Sequence, residues 1–420
     1  MVDLHAVRNA DVVVDDDVGA ELDLAPDLHR CTEEEIVGQG GLVHDPLAII
    51  PGMEERGQLG RAAICCLLHS LSPGGSTWQW IRLLERHAAQ GGRATIFAGD
   101  GALAEPARDA GIEVVLTTWD ENQAFGGAPA EVGKHDVAIV HCEQSVVDAL
   151  PRTLDICERV ALAVHVAPQS VIRELAPPTP MKLRRAVEAA VATPNAIVLV
   201  RGETHRRKVA RAYGLPPSAL KILPTSLDLP SLPFRPATRE PREALALTRL
   251  APDKKDIVRV AVELVRTRLD QGHRCRLTIA GDGAWRLQAI ALCEQRLPQG
   301  AWLMEGAQTD PAARLADCDL VVAQGTTTLE AAALGRRVVV TRPFGARGAS
   351  ATVLTPERYD DAARDPFGNP QVSEDFSRIW DEAGALDELA LTDLRRLVER
   401  HNSLDAAAQA LDEALSGVLT

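Results

Sequence analysis

Short, uninterrupted apolar runs, separated by turns and amphipathic stretches, restrict this chain more than any other feature. A run that is apolar at every residue must be covered on both faces, as a strand inside a parallel sheet is. The first, AAICCLLHSL, follows Arg61, is closed by the turn SPGGS, and leads into TWQWIRLLERHAAQGG, an amphipathic helix ended by Gly91 and Gly92. RATIFAGD, the helical GALAEPARDAG and the strand IEVVLTT continue the alternation. HDVAIVHC (135–142), RVALAVHVA (159–167) and AIVLVR (196–201) read as further strands, MKLRRAVEAAVA and GETHRRKVARAYG as helices, and ALKILPTSLDL (219–229) closes the set. Strand and helix in strict succession require a parallel sheet with right-handed crossovers.

The segment 230–242, PSLPFRPATREPR, holds four prolines and reads as an interdomain linker. The alternation then restarts. EALALTRL, CRLTIAGDG, AWLMEGAQ and CDLVVAQG are strands, DIVRVAVELVRTRLDQG and AWRLQAIALCEQRL are helices, and a helix from Thr327 to Leu334 feeds a strand from Arg337 to Thr341. AGDGA occurs at Ala98–Ala102 and again at Ala280–Ala284, each time between a strand and a helix, so the halves look similarly wound. Neither copy is a dinucleotide fingerprint, because the third glycine is replaced by Ala104 or Arg286. The expected fold is therefore α/β, two Rossmann-like parallel-sheet domains facing a central cleft. Its boundaries are 61–229 for the acceptor domain, 230–242 for the linker, 243–400 for the donor domain and 401–420 for a C-terminal helix.

Charge isolates the start of the chain. Residues 1–60 carry 14 acids and 3 bases, −11 of the total −14, and read as an acidic appendage on a nearly neutral body. With no dominant basic stripe and 3% aromatics, nucleic-acid binding is not expected. The first residues lack the basic-then-apolar order of a signal peptide, and no apolar run is long enough to span a bilayer, so a cytoplasmic location is expected. The eight cysteines form no C-x-x-C pair and suit a reducing compartment, and no clustered ligands suggest a metal. VVVDDDVG, in the appendage, reads as an acidic solvated segment rather than metal-binding acids, since sixty residues are too few to build the domain such a site needs.

Ligands of open parallel sheets bind at the carboxyl ends of the strands, next to helix N-termini. Gly74 and Gly75 of SLSPGGS would let backbone approach a ligand, or would simply make a tight turn. Arg249 and Lys254 of TRLAPDKK put two cations at one strand end, as a diphosphate requires; Lys255 could replace Lys254, and both could be ordinary surface charges. In AQGTTTLEAAALG, Gly325 makes a turn, Thr326 or Thr327 can cap the helix, and its first N–H groups make an anion site with Thr328. Glu330, one turn on, could take a ribose diol, although Thr327-x-x-Glu330 also has the spacing of a capping box. His141 and His165 end their strands, where an imidazole titrating near neutrality could handle protons; a core histidine is the plain alternative. The basic runs 181–185 and 201–211 read as solvated helix faces, with contact to an anionic membrane or to an anionic acceptor as other uses.

Together these segments resemble GT-B glycosyltransferases, closest to glycosyltransferase family 4. Seven elements follow the family's order over about 60 to 345: the first strand with SPGGS, HDVAIVHC, VALAVHVA, LKILPTSLDL, TRLAPDKK, LTIAGDGAWRLQAIA and ADCDLVVAQGTTTLEAAALGRRVVVT. The resemblance implies a nucleotide-diphosphate-sugar as co-substrate, no other cofactor, no metal, and a hydroxyl acceptor bound by the first domain. It implies that Arg249, Lys254 and the amides of Thr326–Thr328 hold the diphosphate, that Glu330 binds the ribose, that Gly75 admits the first loop to the phosphates, and that His141 lies near sugar and acceptor.

Three departures stand out. The first glutamate of the family's usual pair, eight residues before Glu330, is here Val322, in a shortened loop that also resembles inverting GT-B enzymes of the cell-wall lipid-linked type. Thr225 stands where the family often has asparagine, and residues 1–60 have no counterpart. A nucleotide-sugar 2-epimerase or hydrolase on this fold, or a degenerate protein that binds without catalysis, are the rival readings.

Overall fold

A computed structural model describes residues 61–72, 74–117, 129–142, 144–165, 178–341, 350–364 and 371–416, which fall within one compact unit. The acidic appendage expected over 1–60 lies outside them, as do parts of the stretch 344–370.

The first domain is a seven-stranded parallel sheet in the order β3-β2-β1-β4-β5-β6-β7. Its strands are β1 Ala63–Ser70, β2 Arg93–Gly99, β3 Glu113–Leu116, β4 Val137–His141, β5 Arg159–Ala163, β6 Ala196–Val200 and β7 Leu220–Ile222. The helices between them are α1 Gly75–Ala89, α2 Ala104–Asp109, α3 Pro129–Val132, α4 Gln144–Val147, α5 Leu150–Ile156, α6 Pro178–Ala192 and α7 Glu203–Tyr213. Every residue of β4 is buried, as its unbroken apolar run requires.

The second domain repeats the design in the order β10-β9-β8-β11-β12-β13. Its strands are β8 Glu243–Leu247, β9 Arg276–Ala280, β10 Trp302–Glu305, β11 Leu320–Ala323, β12 Arg337–Thr341 and β13 Ala351–Val353. Its helices are α8 Lys255–Asp270, α9 Arg286–Arg296, α10 Pro311–Ala316, α11 Thr326–Ala333, α12 Phe376–Gly384 and α13 Glu388–Asn402. Only β13 runs antiparallel, against β12.

The AGDGA echo is structural. Asp100 and Asp282 each accept from the N–H of the next glycine, at 2.7 and 2.8 Å. Each turn then packs on the loop that follows the central strand. The Leu103 N–H donates to Leu71 O, and the Trp285 N–H donates to Leu250 O, both at 2.9 Å. A Cβ on Gly101 or Gly283 would lie 2.3 Å from those same loops. The two glycines are thus fixed by equivalent close approaches.

The Pro-rich segment lies along the second domain. Arg235 and Ala237 donate to Leu334 O and Gly335 O, and the guanidinium of Arg337 donates to Arg239 O at 2.8 Å.

The chain passes between the domains at 223–228 and returns at 402–404. The passages are tied by Leu227 N–H to Asn402 O and Leu404 N–H to Leu227 O, at 2.8 and 3.1 Å. The fully buried Asn402 donates to Thr225 O and accepts from the Tyr359 hydroxyl. The final described helix, α14 Leu404–Ser416, returns to the first domain. Its Ala407, Leu411, Ala414 and Leu415 enter the core with Ile64, Cys66 and Trp80.

Candidate active site

Two helix N-termini meet where the domains face each other. A Cβ on Gly75, the first residue of α1, would lie 2.5 Å from Oγ1 of Thr326, the first residue of α11. Amides at the start of a helix have no intrahelical acceptor and carry the positive end of its dipole, so this junction favours an anion. Gly75 permits the approach. Gly74 caps α1 in an extended conformation that any residue adopts, with no close contact to explain a glycine.

Gly325 holds the N-cap of α11 at φ 69° and ψ −134°, a conformation reserved for glycine. This corrects the expectation that Thr326 or Thr327 caps the helix. Both threonines lie inside its first turn, and no side chain caps it. The capping box fails with them: a glutamate of such a box sits three residues after the cap, a place held by Thr328, so Glu330 lies too far along. Glu330 is instead a half-buried carboxyl pushed up to about 7, because burial outweighs the opposing pull of Arg82 from α1. Thr328 is buried, with its hydroxyl unpartnered among the described residues.

The two cations of the TRLAPDKK loop part company. Lys254 reaches Gln324, the residue before Gly325, at 3.3 Å, and so stands beside the N-terminus of α11. Arg249, with its side chain 69% exposed, rests on Asp253 at 3.4 Å. The structure thus brings Lys254, Gly75, Gly325, Thr326–Thr328 and Glu330 to one junction, while Arg249 pairs with Asp253 of its own loop.

His141 and His165 stack at the ends of β4 and β5, with centroids 4.4 Å apart. His165 departs from the expectation of an imidazole titrating near neutrality. Burial first, then the charges of Arg201, His141 and His205, hold it well below the usual histidine range, so it is neutral at pH 7. A neutral ring can orient or accept a proton, but it is not a stored imidazolium. Val322, at the position of the missing acid, is buried within β11.

Arg82, Gln79, Trp80 and Arg201 were not singled out from sequence. Three of them lie on α1, where nothing but the fold shows which turn faces the cleft. Arg201 directly follows the run AIVLV, and the strand-end rule that picked out the histidines would have found it. Among the described residues no three His, Cys, Asp or Glu side chains group as a metal site, and no helix is long and apolar enough to cross a membrane.

No protein-family model and no curated protein sequence matches the chain. Solved structures do match its fold. Anabaena Alr3699/HepE in complex with UDP superposes with a TM-score of 0.65 at 15% identity, over 84% of this chain and 100% of that one. A glycosyltransferase from Rickettsia africae gives 0.63 at 12%, covering 86% and 99% of the two chains. WaaG, a glycosyltransferase involved in lipopolysaccharide biosynthesis, gives 0.58 at 15%, covering 84% and 99%. At such identities the likeness establishes the architecture: two parallel-sheet α/β domains of the GT-B type.

Proposed function

Proceeding from a GT-B fold with an anion-favouring cleft, we propose that the protein transfers a glycosyl group from a nucleotide-diphosphate-sugar to a hydroxyl acceptor. The observation that carries this is the meeting of two helix N-termini at Gly75 and Thr326, with Lys254 beside them and Glu330 one turn behind. As the bond between the sugar's anomeric carbon and the phosphate oxygen breaks, negative charge grows on the departing nucleoside diphosphate. Fixed amides and an ammonium stabilise that charge without reorganising, so they lower the barrier more than they tighten ground-state binding. In this reading Lys254, Arg249 and the amides of Thr326–Thr328 take the diphosphate, and no metal is needed. Glu330 accepts hydrogen bonds from the ribose. His141 faces sugar and acceptor, with His165 stacked behind it as a neutral support. The UDP bound in the Anabaena structure makes UDP the first nucleotide to try. A likeness to family 4 in particular, and a cytoplasmic location, belong to the same proposal; the free cysteines among the described residues suit that compartment.

Calorimetric titration with UDP, GDP, ADP and TDP, repeated with EDTA, tests the site. We expect one nucleotide to bind, equally with and without chelator. The double variant Arg249→Ala, Lys254→Ala should abolish transfer while keeping the wild-type circular dichroism spectrum. Full activity in that variant would sink the diphosphate assignment. Consumption of the nucleotide sugar without any acceptor would favour the epimerase or hydrolase. Nucleotide binding with no turnover on any acceptor would favour the non-catalytic reading, for which the buried Val322 is the supporting observation.

A further inference from the structure

Arg201, immediately after β6, is 6% exposed. Its guanidinium donates to one neutral partner, Oε1 of Gln79, and among the described residues no carboxylate pairs with it. Gln79 is itself fixed by a 2.9 Å bond from its Nε2 to Pro224 O. The backbone N–H of Arg201 donates to Nδ1 of the fully buried His205 at 3.1 Å, which puts the His205 proton on Nε2. Trp80, fully buried and edge-on to His165 at 5.8 Å, has an indole N–H without a partner among the described residues. Neither ring nitrogen of His165 has a hydrogen-bond partner among the described residues. Among the described residues these groups form a buried cluster rich in donors, and no acid is placed among them. Burial lowers Arg201 to about 9, against a smaller opposing pull from Cys142, in keeping with a cation that no described carboxylate neutralises.

A buried guanidinium without a counter-charge is costly, and proteins that keep one have the negative charge supplied from elsewhere. We propose that Arg201 anchors an oxyanion site in the first domain, distinct from the diphosphate junction, which takes a phosphate or carboxylate group. If the glycosyl-transfer reading holds, the bearer is a hydroxyl acceptor carrying that group; free inorganic phosphate is the other source.

The test uses the full chain saturated with UDP, so that the diphosphate junction is occupied. Inorganic phosphate, glycerol 3-phosphate and glycerol are titrated calorimetrically into wild type, Arg201→Gln and Lys254→Ala. Both phosphates should bind wild type and K254A, and glycerol should not. R201Q should weaken phosphate binding by ~30-fold or more, the loss expected for a charge-assisted bidentate contact, while UDP affinity stays within about twofold. Tighter binding of glycerol 3-phosphate than of phosphate assigns the site to an acceptor; the reverse assigns it to free phosphate. Absence of phosphate binding, equal binding to R201Q, or loss in K254A alone would overturn the site. Should UDP fail to bind, the transferase reading is what falls, and the same titrations without nucleotide still judge Arg201. Stability provides a second readout. With an uncompensated cation removed, R201Q and R201M should melt at or above wild type without ligand, whereas a fall of ~5 °C or more in both would show that Arg201 merely holds the fold.

Discussion

Glu330 is the residue whose chemistry most depends on where the fold puts it. Its pKa of about 7 exceeds the 4.5 of an ordinary glutamate, so the folded state binds this proton more tightly than the unfolded one. The associated stability is full below pH ~4.5 and is lost as pH rises through 7. Glu330→Gln removes that dependence. Its melting temperature should match wild type near pH 4.5 and exceed it at pH 8, by a difference that opens across this window. If the ionised carboxylate accepts from a ribose, wild-type affinity for the nucleoside diphosphate should rise as pH passes 7. E330Q should bind about 10–100-fold more weakly at pH 8, with no such rise; calorimetry at pH 6 and pH 8 checks this. Glu330 and Lys254 were legible in the sequence because each sits within a few residues of a strand's carboxyl end. Arg82 was not, since it acts from the third turn of a helix in the other domain. The capping-box spacing misled because Gly325, rather than a threonine, starts the helix.

At the level of elements, α11 depends on its glycine cap. Gly325→Ala must be held at φ 69° and ψ −134°, which costs about 1–3 kcal/mol if the turn survives. The cheaper response is to rotate the first turn, taking the Thr326–Thr328 amides off their present aim. We expect a fall in melting temperature of a few degrees together with loss of nucleotide binding, seen by differential scanning calorimetry and titration on the same sample. The strands were legible in place and order, because double-sided burial writes an unbroken apolar run, but several expected runs extended past the strand into its loop, as 219–229 does past β7 Leu220–Ile222. β13 was not: three residues, Ala351–Val353, pair antiparallel at the edge, too few to show a period. The prolines of 230–242 signalled the junction, but not that the segment would be stapled along α11 and β12. That depends on Gly335, where a Cβ would strike Phe234 and Pro236.

For the whole molecule, the two domain passages act as one joint, and Asn402 is its centre. Asn402→Ala removes a buried donor and a buried acceptor, leaving Thr225 O and the Tyr359 hydroxyl without it, at a cost of roughly 2–4 kcal/mol. Both domains should lose stability together in a single calorimetric transition. An unchanged melting temperature would show that the joint bears no load. Asn402 carries no motif, and its importance follows from contacts across 177 residues of chain that no local pattern reports. The same return of the chain has a consequence for biosynthesis. Residues 61–229 leave the ribosome long before α14 exists, yet their core is completed by Leu411 and Leu415. The half made first is therefore finished last. Until residues 404–416 emerge, the nascent chain carries an uncovered apolar patch beside Trp80, where a holding chaperone could bind and where truncated products would be recognised for destruction.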